Sequence, residues 1–313
     1  MGRDTVERVT ALGHDVSVLH RRDHNDFEEG LVQNIKADRG DLDAMTQILN
    51  DGQFEAVFDF AYDWEKGTTP AQVEAVARAC TDELKRYVFI SSVAAYGEGV
   101  NMREEDPLAP DDYPMPYIQH KAATERVLFA MHRQSGFPVT TFRPPYVHGP
   151  RQPFYREQFF WDRLLDGQPI ILPDGGDRPM QWVFAPDVAQ ACVKALETPE
   201  AVGEAFNIGH VEPTTQRDVV EALARVAGVE PTLVSVPRSV IQAAGGEMVG
   251  ENIYFGEALD MQALTGAVDK AIEVLGFAPT PLDEALSISF DWYQEQPRRS
   301  VDYAFEDSLL ATA

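Results

Sequence analysis

Short apolar runs alternate with stretches of helical period along the chain. His14–Leu19, Ala56–Phe60, Tyr87–Ile90, Val139–Phe142 and Ala205–Ile208 are rich in Val, Ile, Phe or Leu, as strands buried on both faces are. Between them, Asp4–Leu12, Asp41–Leu49, Pro70–Leu84, Ile118–His132 and Pro186–Glu197 read as helices. Such alternation predicts an α/β fold with a doubly wound parallel sheet and helices on both faces. The texture changes around Pro144–Pro186, where Pro, Gly and aromatic residues crowd together, and from Thr214 helical segments mix with loops. This divides the chain into a sheet-forming unit (1–147 plus about 180–210), a smaller lobe (148–179 plus 211–296) and a polar tail (297–313) with one apolar patch at Leu309 and Leu310. A helical pattern begins almost at Met1, with no strand before it.

Composition narrows the function classes. Of 313 residues, 44% are hydrophobic and 25% charged, which is globular composition. Acidic residues number 51 against 26 basic ones, a net charge of −25 that repels phosphate backbones and anionic membranes. Nucleic acid is therefore not the expected main partner. Acid excess with only six Lys also suits a solvated surface in high salt. Cys80 and Cys192 lie in no ligand spacing and read as buried thiols in a reducing compartment. The N-terminus has no signal-peptide core, and no run approaches the roughly 20 apolar residues of a membrane span. A cytoplasmic protein with a small-molecule substrate is the expectation.

The chemistry-bearing residues come in a set. Tyr87-Val-Phe-Ile-Ser-Ser92 reads as a strand ending in two hydroxyls, followed by Tyr96-Gly97. Tyr117-Ile-Gln-His-Lys121 places a phenol and an ammonium four residues apart on one helix face. A nearby cation favours phenolate, so the spacing predicts a lowered phenol pKa and a usable acid/base. Ser92 is placed to hold the substrate oxygen. A second Tyr–Lys pair, Tyr62 and Lys66, has no Ser-bearing strand before it and reads as a loop feature.

With Arg143-Pro-x-x-Val-x-Gly-Pro150, Val183-x-x-x-Asp187-Val-Ala and Phe206-Asn-Ile-Gly209, these motifs make residues 1 to about 295 resemble the extended short-chain dehydrogenase/reductases, also called NAD-dependent epimerases/dehydratases. The resemblance implies a Rossmann domain with a small C-terminal substrate lobe, and a catalytic triad at Ser92, Tyr117 and Lys121. Lys121 would also touch the nicotinamide ribose, and Gly2, Ala61, Pro144 and Val147 would line the cofactor. Asp38 and Arg39 would lie beside the adenine. Gly2 aligns with the third glycine of the family's Gly-rich turn, so the first strand and two glycines are missing, and the coding frame is expected to continue upstream of Met1. Dehydratases of the family carry an acidic pair just after the Ser position; Val93 and Ala94 stand there, which leaves epimerase or reductase chemistry on a nucleotide-sugar or related hydroxyl/carbonyl substrate. Family members often pair through a four-helix contact, implying a homodimer built on Pro70–Leu84 and Ile118–His132.

Cofactor preference reads from the second strand's end, Leu19-His20-Arg21-Arg22, where NAD-preferring proteins usually carry an acid. Guanidinium groups at Arg21 and Arg22 suit a 2′-phosphate, predicting NADP(H) over NAD(H), with Asp23 keeping NAD(H) as the alternative. His20 and His24 are spaced like a metal pair but have no third ligand, so no metal is expected. His148 and Arg178 are candidate substrate contacts, Arg178 for an anionic group such as a diphosphate. The aromatic cluster Phe154, Tyr155, Phe159, Phe160 and Trp161 reads as lobe packing. The competing function is a non-catalytic dinucleotide- or RNA-binding protein, because the Leu-His-Arg-Arg turn and Ala37-Asp-Arg39 also resemble a divergent branch that includes chloroplast stem-loop RNA-binding proteins.

Overall fold

A computed structural model describes residues 1–23 and 27–311. The chain opens with α1 (Gly2–Ala11), β1 (Ser17–His20), β2 (Gln33–Lys36), α2 (Leu42–Gly52), β3 (Ala56–Asp59), α3 (Pro70–Ala79), β4 (Arg86–Ile90) and β5 (Gly99–Met102). There follow α4 (Pro116–Ser135), β6 (Val139–Arg143), β7 (Tyr146–His148), α5 (Glu157–Leu165), β8 (Ile170–Pro173), β9 (Pro179–Met180), β10 (Trp182–Phe184), α6 (Ala185–Glu197) and β11 (Glu204–Asn207). The remainder is β12 (Thr214–Thr215), α7 (Gln216–Ala227), β13 (Leu233–Val236), α8 (Arg238–Ala243), β14 (Leu264–Gly266), α9 (Asp269–Leu275), α10 (Leu282–Gln294) and α11 (Ala304–Leu310).

Four strands form a parallel sheet in the order β11-β6-β4-β3. Alternate residues of β4 serve opposite faces, as strand geometry requires. Tyr87 and Phe89 pack with Leu49 of α2, Val76 of α3 and Leu128 of α4. Val88 and Ile90 pack with Val188 and Cys192 of α6 and Leu275 of α9. The sheet is thus covered on both faces, the α/β architecture that the alternating pattern predicts. β1 and β2 pair in parallel with each other but not with β3. Among the described residues no strand joins β1 to β3, the position that a Rossmann order gives to its first strand.

Two boundaries and one further strand show how local features reshape the expected elements. The strand expected over His14–Leu19 runs Ser17–His20, because Gly13 turns at φ 85° and the chain straightens only afterwards. α3 stops at Ala79, where Cys80 takes an extended conformation (φ −67°, ψ 142°). β2 carries no apolar run, since Gln33-Asn-Ile-Lys36 holds one apolar residue; it pairs on one side only.

α4 carries the site and is fixed at both ends. Pro116 opens its first turn and Gly136 closes it in the left-handed conformation (φ 74°). Its buried stripe includes Ile118, Lys121, Ala122, Glu125 and Leu128, so two charged residues face the sheet. A separate core holds Phe159, Phe160, Trp161, Trp182, Leu223, Phe255 and Leu286. Leu309 of α11 belongs to that core, and the neighbouring Glu306 forms a buried ion pair with Arg163. No helix among the described residues is long and apolar enough to cross a membrane.

Candidate active site

The site forms where β4 ends. Ser92 follows the strand directly, only 8% exposed, and its hydroxyl accepts from Ala94 N–H at 3.1 Å and donates to Pro144 O at 3.4 Å. Ser92 also pulls the Tyr117 phenol toward its ionised form. Lys121, one turn along α4, is 5% exposed and donates from Nζ to Ile90 O at 2.6 Å. Its ammonium lies 5.8 Å from the Tyr117 ring centre, 4.8 Å from that of Phe89 and 5.4 Å from that of Tyr62. Ser92, Tyr117 and Lys121 therefore converge at one carboxyl edge of the sheet.

Electrostatics modify the expected tuning. Burial pushes the Tyr117 phenol up, against the opposing pull of Ser92 and the Arg156 guanidinium. This differs from the lowered pKa that the four-residue spacing suggests, because desolvation is the largest influence on the phenol. Burial also brings Lys121 down to about 8, opposed by Asp59 and reinforced by Arg39.

Much of the motif set is scaffolding behind these three groups. Glu125, fully buried, takes the Ser91 hydroxyl at 2.5 Å and the Arg143 guanidinium at 2.6 Å. Arg143 Nη1 donates to Tyr96 Oη at 2.7 Å, and that hydroxyl donates to Asn207 Oδ1 at 2.9 Å. Asp187 at the start of α6 holds Thr280 through two bonds of 2.8 Å.

The candidate cofactor residues follow the carboxyl ends of β1 to β3 and the turn after β6. Gly2 opens α1 with Phe60 beneath it; an added Cβ would stand 3.8 Å from that ring. Arg21 donates to Asp63 at 3.1 Å, and Arg22 N–H to His20 Nδ1 at 3.1 Å. Asp38 caps its own turn through Gly40 N–H at 2.8 Å. Arg39, expected beside the adenine, grips Asp59 with both Nη atoms, 2.6 Å for one of them. Tyr87 Oη donates to the same carboxylate, whose pKa is lowered by these partners despite burial. Ala61 follows β3, Pro144 lies between β6 and β7, and Val147 is the middle residue of β7.

The two substrate candidates are engaged with protein groups of their own. His148 is wholly buried, its Nε2 3.2 Å from that of His210 and its ring against Trp182 and Phe184. Arg178 donates to Asp260 Oδ1 at 3.0 Å and to the carbonyls of Asp260 and Met261. His24 lies outside the described residues, and no cluster of three metal-ligating side chains occurs among those described.

Other residues join the site unannounced. Tyr62, read as a loop residue, sets its ring edge-on to Tyr117 at 4.9 Å. Trp64 stacks on Tyr117 at 5.0 Å and 23°. Arg156 sits over Tyr146 and Phe154 at 5.3 and 4.7 Å. Glu157, 1% exposed, accepts from Gly149 N–H at 2.9 Å while its other oxygen has no partner. Burial pushes this carboxyl up to about 7. Because the unfolded chain releases that proton near pH 4.5, the folded state loses stability as pH rises from there to about 7. Glu157→Gln keeps the acceptor and removes the loss. Thermal unfolding should show its advantage over the parent growing across that window, toward an upper bound of about 3 kcal/mol, then levelling off.

Comparison with known proteins places the chain. The model of the NAD dependent epimerase/dehydratase family matches residues 1–209. The chain belongs to that family. Its epimerases and dehydratases are enzymes. The chloroplast stem-loop binding protein of 41 kDa b from Arabidopsis thaliana is 27% identical over 294 residues, covering 93% of this chain and 72% of that protein. A dTDP-glucose 4,6-dehydratase from Xanthomonas campestris is 25% identical, covering 83% and 78%. The UDP-glucuronic acid 4-epimerase from Bacillus cereus, solved with UDP-glucuronic acid and NAD, shares the fold at a TM-score of 0.73 and 20% identity, covering 94% of this chain and 96% of that one.

Proposed function

We propose that this chain is an NAD(P)-dependent epimerase or reductase acting on a nucleotide-sugar or related hydroxyl/carbonyl substrate. The convergence of Ser92, Tyr117 and Lys121 at the end of β4 is the observation that carries this reading. The residues present fit a nicotinamide dinucleotide. Lys121 has three N–H donors and gives one to Ile90 O, leaving donors for a ribose. Arg21 and Arg22 follow β1, and α1 begins at Gly2 beside the end of β3. When bound, the nicotinamide accepts and returns a hydride.

The protein's own part is proton handling and orientation. As the phenolate, Tyr117 takes the substrate hydroxyl proton at its oxygen and, as the phenol so formed, gives it back. Ser92 hydrogen-bonds the same substrate oxygen and favours the phenolate. Lys121 holds the ribose and lends positive charge to the site. Asp38, Arg39, Ala61, Pro144 and Val147 complete the dinucleotide groove, Arg178 and His148 belong to the substrate side, and the working form is a homodimer through α3 and α4.

Arg21 and Arg22 favour a 2′-phosphate. Calorimetric titration should show NADPH binding more tightly than NADH, with Arg22→Ala narrowing the gap. Proton NMR of UDP-hexoses incubated with the protein and NADP⁺ or NAD⁺ should show conversion of at least one sugar. Absence of both dinucleotide binding and sugar conversion would sink the reading. Likeness to a stem-loop binding protein across 93% of the chain keeps RNA as the second reading. RNA binding that falls steeply with salt, without any dinucleotide effect, is its signature.

A further inference from the structure

Trp64 is a large apolar side chain left 63% exposed directly over a reacting group. Its ring lies 5.0 Å from that of Tyr117 at 23°, a stacked arrangement. Phe154 meets Trp64 edge-on at 5.5 Å, and Tyr62 meets it at 5.0 Å. Two rings of one loop, Tyr62 and Trp64, thus meet the phenol, and Phe154 from a separate segment braces Trp64. The turn that presents Trp64 is built rather than loose. Asp63 Oδ1 accepts from Glu65 N–H and Lys66 N–H, both at 3.0 Å, and Asp63 O accepts from Gly67 N–H at 2.8 Å. Asp63 N–H donates to Thr68 Oγ1 at 2.9 Å, and Arg21 anchors the other carboxylate oxygen. An indole held this way excludes water from one face of Tyr117 and restricts the ring to rotations that keep its hydroxyl toward Ser92.

We propose that Trp64 is a positioning residue, which walls the reacting end of the cleft and holds the Tyr117 phenol toward Ser92 through its stacked indole. This rests on the reading of Tyr117 as the proton-transfer group, but its physical content, control of that phenol's surroundings, can be measured without substrate. The groups facing the phenol are Ser92 from the end of β4, Tyr62 from the same loop as Trp64, Lys121 from its own helix and Arg156 from the segment before α5. His120 reaches it only through Tyr62, 3.3 Å from that hydroxyl. Of these surroundings, Trp64→Ala changes only the apolar wall.

The test is the ultraviolet absorbance of phenolate across a pH titration, taken as the difference between each protein and its Tyr117→Phe counterpart. The Tyr117 midpoint should fall in Trp64→Ala toward the ordinary value of about 10 as water reaches the ring. Trp64→Phe should keep the parental midpoint, since a smaller aromatic still covers the face. Melting temperatures should stay close to the parent, as expected for an exposed position. An unmoved midpoint in Trp64→Ala, or a Trp64→Phe midpoint as low as that of Trp64→Ala, overturns the proposal. Absence of sugar conversion by the parent would defeat the enzymatic reading but leave this titration intact, so the two failures are distinguishable.

Discussion

Tyr117→Phe should lower sugar turnover about 10²–10⁴-fold while leaving the fold and dinucleotide binding in place. The phenyl ring keeps its stack on Trp64 and its edge contact with Tyr62, because both involve the ring rather than the hydroxyl. Only the proton-carrying oxygen and its link to Ser92 are lost. Steady-state kinetics beside a calorimetric dinucleotide titration separate the two effects. Turnover close to that of the parent would remove Tyr117 from the chemistry.

Arg143→Met should destabilise the protein by about 3–5 kcal/mol, because it strands Glu125 as a buried, uncompensated charge. Glu125 is fully buried and Arg143 is 3% exposed, so water cannot replace the lost partner. The change also takes a donor from Tyr96, whose hydroxyl ties this network to Asn207. Replacing both partners, Arg143→Met with Glu125→Leu, should cost less than Arg143→Met alone, since no charge is then left in the core. Urea unfolding of the two variants measures both values. A loss below about 1 kcal/mol for Arg143→Met would contradict this account of the stranded partner.

The contrast between Tyr117 and Arg143 shows what the sequence reveals. Tyr117 and Lys121 were legible because helical spacing alone brings them to one face and the Ser-bearing strand precedes them. The five strands and five helices first read were legible because their apolar periods are strong. Arg143, Tyr96 and Asn207 belong to motifs too, but spacing does not say whether a motif residue reaches substrate or braces those that do. β2 was hidden because a strand paired on one side needs little apolar content. Trp64, Arg156 and Glu157 carry no periodic signal, since their places depend on loops folding back on α4 and β7. An isolated Trp in a polar turn just beyond a strand end was the one available hint. The phenol's raised pKa could not be read either, because desolvation is a property of the packed site.

Absorbance of reduced nicotinamide during turnover tests the central claim most directly. With the parent protein, NADP⁺ or NAD⁺ and a UDP-hexose that it converts, the proposed chemistry predicts a transient rise as the sugar hydroxyl is oxidised. Tyr117→Phe with the same sugar and dinucleotide should show almost none. A rise of equal size and rate in that variant would contradict proton removal by Tyr117.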